Sequence, residues 1–150
     1  WGTQTNLLIS PHMWREVFKP LYADYCRLIH GAGKFVFFHS DGHIVSIIPD
    51  LIEIGVDALN AQLFCMDIEE IGRRFKGQVT FWGEIDRQWV LPFGTLDDVR
   101  AAVQRVRAAL DDVANGYIGG GVIAECEWGN DVPRANVEAV FETWQKDTVL

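Results

Sequence analysis

An α/β fold on an all-parallel sheet is what this sequence predicts, and three observations carry it. Short continuous apolar runs alternate with stretches of helical periodicity in the order α-βα-βα-βα-βα. No hairpin signal joins two of the runs, so each crossover must bring the chain back in the same direction. No Ser/Gly-rich linker or low-complexity tract interrupts the pattern, so residues 1–150 are one domain or part of one.

The first helix is announced by Ser10 and Pro11, an N-cap followed by a residue whose missing N–H costs nothing in a first turn. Trp14, Val17, Phe18, Leu21, Tyr25, Leu28 and Ile29 recur at helical spacing until Gly31 and Gly33, which puts the end near His30. Residues 35–38 are continuously apolar and predict a strand covered on both faces, as in parallel sheets. Ile44, Ile47, Ile48, Leu51 and Ile52 form a helical stripe closed by Gly55, and 56–59 reads as the second strand. Two strands joined by a helix make a right-handed βαβ unit.

Ile68, Ile71 and Phe75 mark a short helix, and 79–82 a third strand. Thr95, with Asp98 three residues on, opens a long amphipathic helix through Leu96, Val99, Val103, Val106, Leu110 and Val113. Residues 119–126, from Gly119 to Cys126, form the fourth strand, and Val137, Val140, Phe141 and Trp144 the closing helix. Four such units fit either a small open α/β sheet or half of a (β/α)8 barrel, whose full length is about 250 residues.

The composition narrows the function. With 49% hydrophobic and 23% charged residues the chain can bury a real core, which sets disorder aside. A net charge of -8, with the 13 Lys and Arg scattered, argues against a nucleic-acid partner. No apolar run approaches the roughly 18 residues of a membrane span. WGTQTN lacks the basic and apolar regions of a secretory signal, so no membrane partner is expected and the cytoplasm is the expected compartment. Cys26, Cys65 and Cys126 are odd in number and far apart, which favours reduced thiols over a disulfide framework. A Trp in first place, with a turn-like WGTQTN entering directly on a helix, leads us to expect a piece of something longer.

In either architecture ligands gather at the carboxyl ends of the strands. The first strand delivers His39 and Asp41 there, the second Asn60 and Gln62, the third Trp82, Glu84 and Asp86, the fourth Glu125, Cys126 and Glu127. Side chains two apart on a strand point the same way, so His39 and Asp41 can face one ion or substrate. With a thiol arriving from another strand, they match the N/O/S ligand set of Zn²⁺ and leave a fourth position open. The plainer reading stays beside it: His39 packing or capping, Asp41-Gly42 a turn, Cys126 a small buried hydrophobe. Cys26 belongs in the core, and Cys65 is a structural thiol or a neighbour of the same mouth. His12, His30 and His43 are expected to face solvent. Glu125 and Glu127 should point outward while the strand stays regular, although a strand end can twist one of them back, and Asp86 with Arg87 either binds a polar substrate or caps a loop. Phe64, Trp82, Trp89, Phe93 and Trp128 suit a planar apolar ligand or simple core packing.

Four stretches, WGTQTNLLISPHMWREVFKP, FFHSDGHIVSIIPDLIEIGVDALNAQ, VTFWGEIDRQWVLPFGT and DVPRANVEAVFE, together resemble the C-terminal half of the uroporphyrinogen decarboxylase family. That family includes the corrinoid:coenzyme M methyltransferases and is similar in fold to cobalamin-independent methionine synthase. The resemblance spans essentially the whole chain. It implies an α/β, parallel-stranded fold that is the C-terminal half of a (β/α)8 TIM barrel: four βα units plus a preceding helix, a single partial domain over 1–150. Such a half leaves its inner face and two edges open, so it is expected to need the missing N-terminal half or a second copy.

The chain resembles the zinc-dependent methyltransferase branch more than true uroporphyrinogen decarboxylases. That branch has His-x-Cys at the end of the first strand here and a Cys seven residues before the Pro of the last helix. His39 matches the His, Asp41 stands where the first Cys would be, and Cys126 lies seven residues before Pro133. The resemblance thus implies zinc on His39, Asp41 and Cys126. Gln62, Trp82, Glu84, Asp86 and Glu127 would serve as substrate or second-layer residues, and a corrinoid, on its own protein, as methyl carrier. Asp for Cys keeps the ligand charge but replaces a soft donor by a hard one, which disfavours a nucleophilic metal-bound thiolate and suits an oxygen-bearing substrate. The expected function is metal-dependent methyl transfer on a small thiol or hydroxyl substrate. The alternatives are cofactor-free decarboxylation of a tetrapyrrole, and a half-barrel that serves only as an interaction module. Because the family's N-terminal substrate motifs lie in the other half, the fragment by itself is expected to be inactive.

Overall fold

The computed structural model describes residues 1–112, 116 and 120–146. One helical run opens the chain: α1 (Pro11–Met13) passes through a π turn (Trp14–Phe18) into α2 (Lys19–Gly31). Ser10 caps it as expected, its side chain accepting from the Met13 N–H at 3.1 Å. Then follow β1 (Phe37–Ser40), α3 (Ile48–Glu53), β2 (Ala58–Ala61), a 3-10 turn (Leu63–Cys65), α4 (Ile68–Phe75), β3 (Thr80–Gly83), α5 (Val90–Phe93), α6 (Leu96–Leu110), β4 (Val122–Ala124) and α7 (Arg134–Lys146).

The sheet is parallel throughout and runs in the order β1-β2-β3-β4. A doubly wound sheet reverses its strand order at a switch point, whereas here every strand lies beside its successor. This is barrel winding, and the chain is a partial (β/α) barrel. The register aligns Phe38, Leu59, Phe81 and Val122 in one row and His39, Asn60, Trp82 and Ile123 in the next. Phe38, Leu59 and Phe81 are buried under the helices, with Ile48, Leu51, Ile71, Val103 and Val140 in the same core.

The other face of the sheet is open. Phe37 and Ile123 are half-exposed on it and Phe35 is largely exposed, so the expectation of a strand covered on both faces is corrected. The helices described here pack on one side only, and the run 35–38 is apolar because its alternate residues face a barrel interior. The amphipathic stripe of this opening helical run is likewise only partly used: Trp14 and Cys26 are buried, while Val17, Leu21, Tyr25 and Leu28 are exposed.

Three strands start later than the apolar runs suggest. The Val36 carbonyl accepts from both Asp57 and Ala58 N–H groups, and Asp57 Oδ2 accepts from the Val36 N–H at 2.6 Å, so pairing begins only beyond them. The first strand is therefore Phe37–Ser40 rather than 35–38, and the second Ala58–Ala61 rather than 56–59, because the Val56 N–H is spent on Leu51 O behind α3. The third moves by one residue, to Thr80–Gly83. The fourth is only Val122–Ala124, short of Glu125 and Cys126; Gly119, its expected start, lies outside the described residues, as does Val113. Pro49 stands in the first turn of α3, which begins at Ile48; Ile44 and Ile47 fill the core from the turn before it. His30 is exposed, as expected, and its Nε2 lies 2.8 Å from Asp57 Oδ2. Burial alone would raise the Asp57 pKa, but bonds from the Val36 N–H and His30 hold it below the usual carboxylate range.

Two further ties matter below. The N-terminal segment crosses the end of β1, with Gly2 N–H bonded to Asp41 O at 3.1 Å and His43 N–H to Thr3 O at 2.7 Å. The crossing requires glycine at 42, where φ is +80° and a Cβ would come within 2.3 Å of Gly2 backbone. At the other end, the buried Asn136 amide donates to Leu91 O at 2.8 Å and Gly94 O at 3.0 Å, anchoring α7 to the α5 turn. Among the described residues no helix is long and apolar enough to cross a membrane.

Candidate active site

β1 carries His39 on the open face, and Asp41 follows one residue past the strand end. His39 Nε2 lies 3.7 Å from Asp41 Oδ2, so the pair is brought together as predicted, at ion-pair rather than hydrogen-bond distance. Asp41 Oδ1 accepts from Arg87 Nη2, Glu127 Oε2 accepts from Arg87 Nη1, and Arg87 Nε approaches Glu84 Oε1 at 3.5 Å. One guanidinium thus ties the ends of β1, β3 and β4 together.

Glu84, one residue past β3, is 3% exposed, and its Oε2 accepts from the Leu63 N–H at 2.9 Å. Burial pushes its pKa up to about 8; Glu125 and Glu127 add to the rise, and neither Arg87 nor the Leu63 N–H offsets it. Burial therefore favours the protonated form of Glu84. Glu125 is pushed up to about 7 by burial and then by Glu127, and its Oε2 is buried with no hydrogen-bond partner among the described residues. Gln62 Oε1 accepts from the Gly42 N–H at 3.2 Å and from Gln4 Nε2 at 2.9 Å, fixing the turn after β1. Cys65 donates its thiol to Gln62 O at 3.0 Å, and burial and then Glu84 raise its pKa to about 11.

Gln62, Cys65, Glu84 and Arg87 line a cleft of about 90 Å³, together with Asp86 and Trp89 among others. Asp86 lines it but spends Oδ1 on the Gln88 and Trp89 N–H groups at 2.9 and 3.1 Å, which makes it the loop cap of the plainer reading. Trp82 stands on the open face and stacks on Phe37, ring centroids 4.4 Å apart at 20°, with its Nε1 buried and unpartnered.

The zinc ligands do not fit as they stand. Among the described residues no three His, Cys, Asp or Glu side chains are gathered as a metal ion requires. Asp41 is held by Arg87, and Cys126 is buried, with burial and then Glu125 raising its thiol to about 11. Because β4 stops at Ala124, strand alternation no longer governs 125–127, and of the two glutamates it is Glu127 that twists back toward Arg87.

The sequence offers Arg87, with Asp86, as a binder of a polar substrate or part of a loop cap, and gives no sign that it joins three strand ends, although it is the one basic residue in the stretch TFWGEIDRQWVLPF. Gln4 had no signal at all, since its role depends on the N-terminal segment crossing the end of β1. A family model described as uroporphyrinogen decarboxylase (URO-D) matches residues 3–146. No curated protein matches the sequence.

Proposed function

The chain belongs to the uroporphyrinogen decarboxylase family, and we propose that it forms the strand-end mouth of an enzyme that transfers a methyl group to or from a small thiol or hydroxyl substrate by acid–base catalysis. The observation that carries this reading is the convergence, through Arg87, of a His–Asp pair and a buried carboxyl at the ends of neighbouring strands. A thiol or hydroxyl acceptor must lose its proton to become a nucleophile, and His39, faced by Asp41, takes it. The new bond forms to the methyl carbon while the donor's bond to that carbon breaks, leaving its electron pair on the donor oxygen. Glu84 supplies the proton that neutralises that oxygen, which a carboxyl of ordinary pKa would not hold at pH 7.

No step of this reading runs through zinc. A corrinoid, when bound, supplies a methyl carrier, and the stacked Phe37–Trp82 pair on the open face is the apolar surface that would hold it. Completion of the barrel by further βα units, from the same polypeptide or a second copy, covers that face and its half-exposed Phe37 and Ile123.

The test is methyl transfer by the full-length protein between methyl ethers and thiol or hydroxyl acceptors. His39→Gln should slow the reaction about 10²- to 10⁴-fold; an unchanged rate would sink the reading. The second reading, decarboxylation of a tetrapyrrole, is favoured by one observation, the burial of Glu84, which raises its pKa and favours the protonated form that could protonate the carbanion left by loss of CO2. Incubation with uroporphyrinogen and no loss of carboxylates would remove it.

A further inference from the structure

We propose that Arg87 is the receptor for a carboxylate carried by the substrate, and that Asp41 and Glu127 occupy its donors until that carboxylate arrives. This rests on the reading of the strand-end mouth as the active site. Arg87 is the only Lys or Arg among the described residues that line the cleft. Its side chain is 24% exposed, so the guanidinium is held in place while still reaching the opening.

The pattern of its bonds points to a missing partner. Nη1 goes to Glu127 and Nη2 to Asp41, so the planar end of the fork is split between two carboxylates that approach from different strands. A guanidinium is built to give those two N–H groups to one carboxylate, in parallel, and such bidentate pairs are the stronger arrangement. The two present partners are 53% and 52% exposed and can turn into water at little cost, whereas Glu84 is buried and cannot leave.

Size and lining fit a short organic acid. A cleft of about 90 Å³ holds about three water-sized groups, enough for a carboxylate and one or two carbons. Phe64 and Trp89 are the aromatic residues in an otherwise polar lining that those carbons would meet, and burial, by raising the Glu84 pKa, disfavours a further negative charge at the site. Release of Asp41 from Arg87 also leaves its carboxylate free to close the 3.7 Å gap to His39. Seating the substrate's carboxylate and arming the base are then one event.

The experiment measures binding without turnover, so its outcome is independent of whether methyl transfer is the reaction. Full-length protein is titrated with propionate, and with ethylammonium as a cation of similar size, following the Arg87 Nε–H resonance by NMR and Trp89 by fluorescence. Saturable shifts are expected with propionate alone. Affinity should fall about tenfold or more in Arg87→Lys and vanish in Arg87→Met. Glu127→Gln, which removes a competitor and leaves the exposed rim folded, should raise propionate affinity several-fold. Binding of propionate that leaves Arg87 Nε–H unmoved, that survives Arg87→Met, or that is no tighter in Glu127→Gln overturns the proposal, as does preference for ethylammonium.

Discussion

Glu84→Gln isolates the acid on which the proposed chemistry depends, and its effect on stability can be worked from the structure. Burial pushes the carboxyl up to about 8 in the fold from the ordinary glutamate value of 4.5. The folded state therefore holds the proton more tightly than the unfolded state does. Stability is full at and below pH 4.5 and is lost as pH rises toward 8, the opposite of an ordinary ion-paired carboxylate. At about 1.4 kcal/mol for each unit of difference, the burden is about 3 kcal/mol at pH 7 and approaches about 5 kcal/mol above pH 8. With Glu84 only 3% exposed, solvent screening removes little of it. The amide of Glu84→Gln has an oxygen to accept from the Leu63 N–H and no charge to bury. Urea denaturation of the full-length protein should show wild type losing about 4 kcal/mol relative to Glu84→Gln between pH 5 and pH 9. Two parallel pH profiles would mean that Glu84 is ionised in the fold, and the assignment of the acid would fail.

Three other substitutions probe the frame around the mouth. Gly42→Ala puts a Cβ at positive φ against Gly2 and breaks the crossing to Asp41 and His43, so it should destabilise by about 3 kcal/mol in denaturant melts. Asn136→Ala strands the Leu91 and Gly94 carbonyls under α7 and should cost about 2–4 kcal/mol in the same assay. Asp50, buried between α2 and α3, accepts from Arg15 Nε at 2.9 Å and Lys19 Nζ at 2.8 Å; Asp50→Ala should cost about 2 kcal/mol, and added salt should not restore it.

The features legible in the sequence were those whose cause is local. Thr95 and Asp98 announce a capping box, and both of its reciprocal bonds are present. His39 and Asp41 share a side because a strand puts alternate residues on one face, and the order of runs separates parallel crossovers from hairpins. What was not legible depends on partners far along the chain. The run 35–38 does not say where pairing starts, because Val36 is taken by the Asp57 side chain. Arg87 meets Asp41 across 46 positions only because β1, β2 and β3 lie side by side, and nothing near either residue encodes that meeting. The length of β4 decides whether Cys126 or Glu127 turns to the mouth, and a Gly-rich apolar run carries no stop signal before Glu125.

We propose that this mouth works by proton transfer through His39 and Glu84 rather than through a metal held by Cys126. Single-turnover methyl transfer by the full-length protein, with zinc content measured on the same samples, tests it most directly. His39→Gln should slow transfer by about a hundredfold or more, while Cys126→Ala stays within about threefold of wild type and changes no metal content. Stoichiometric zinc in wild type, lost from Cys126→Ala together with the activity, would contradict the account.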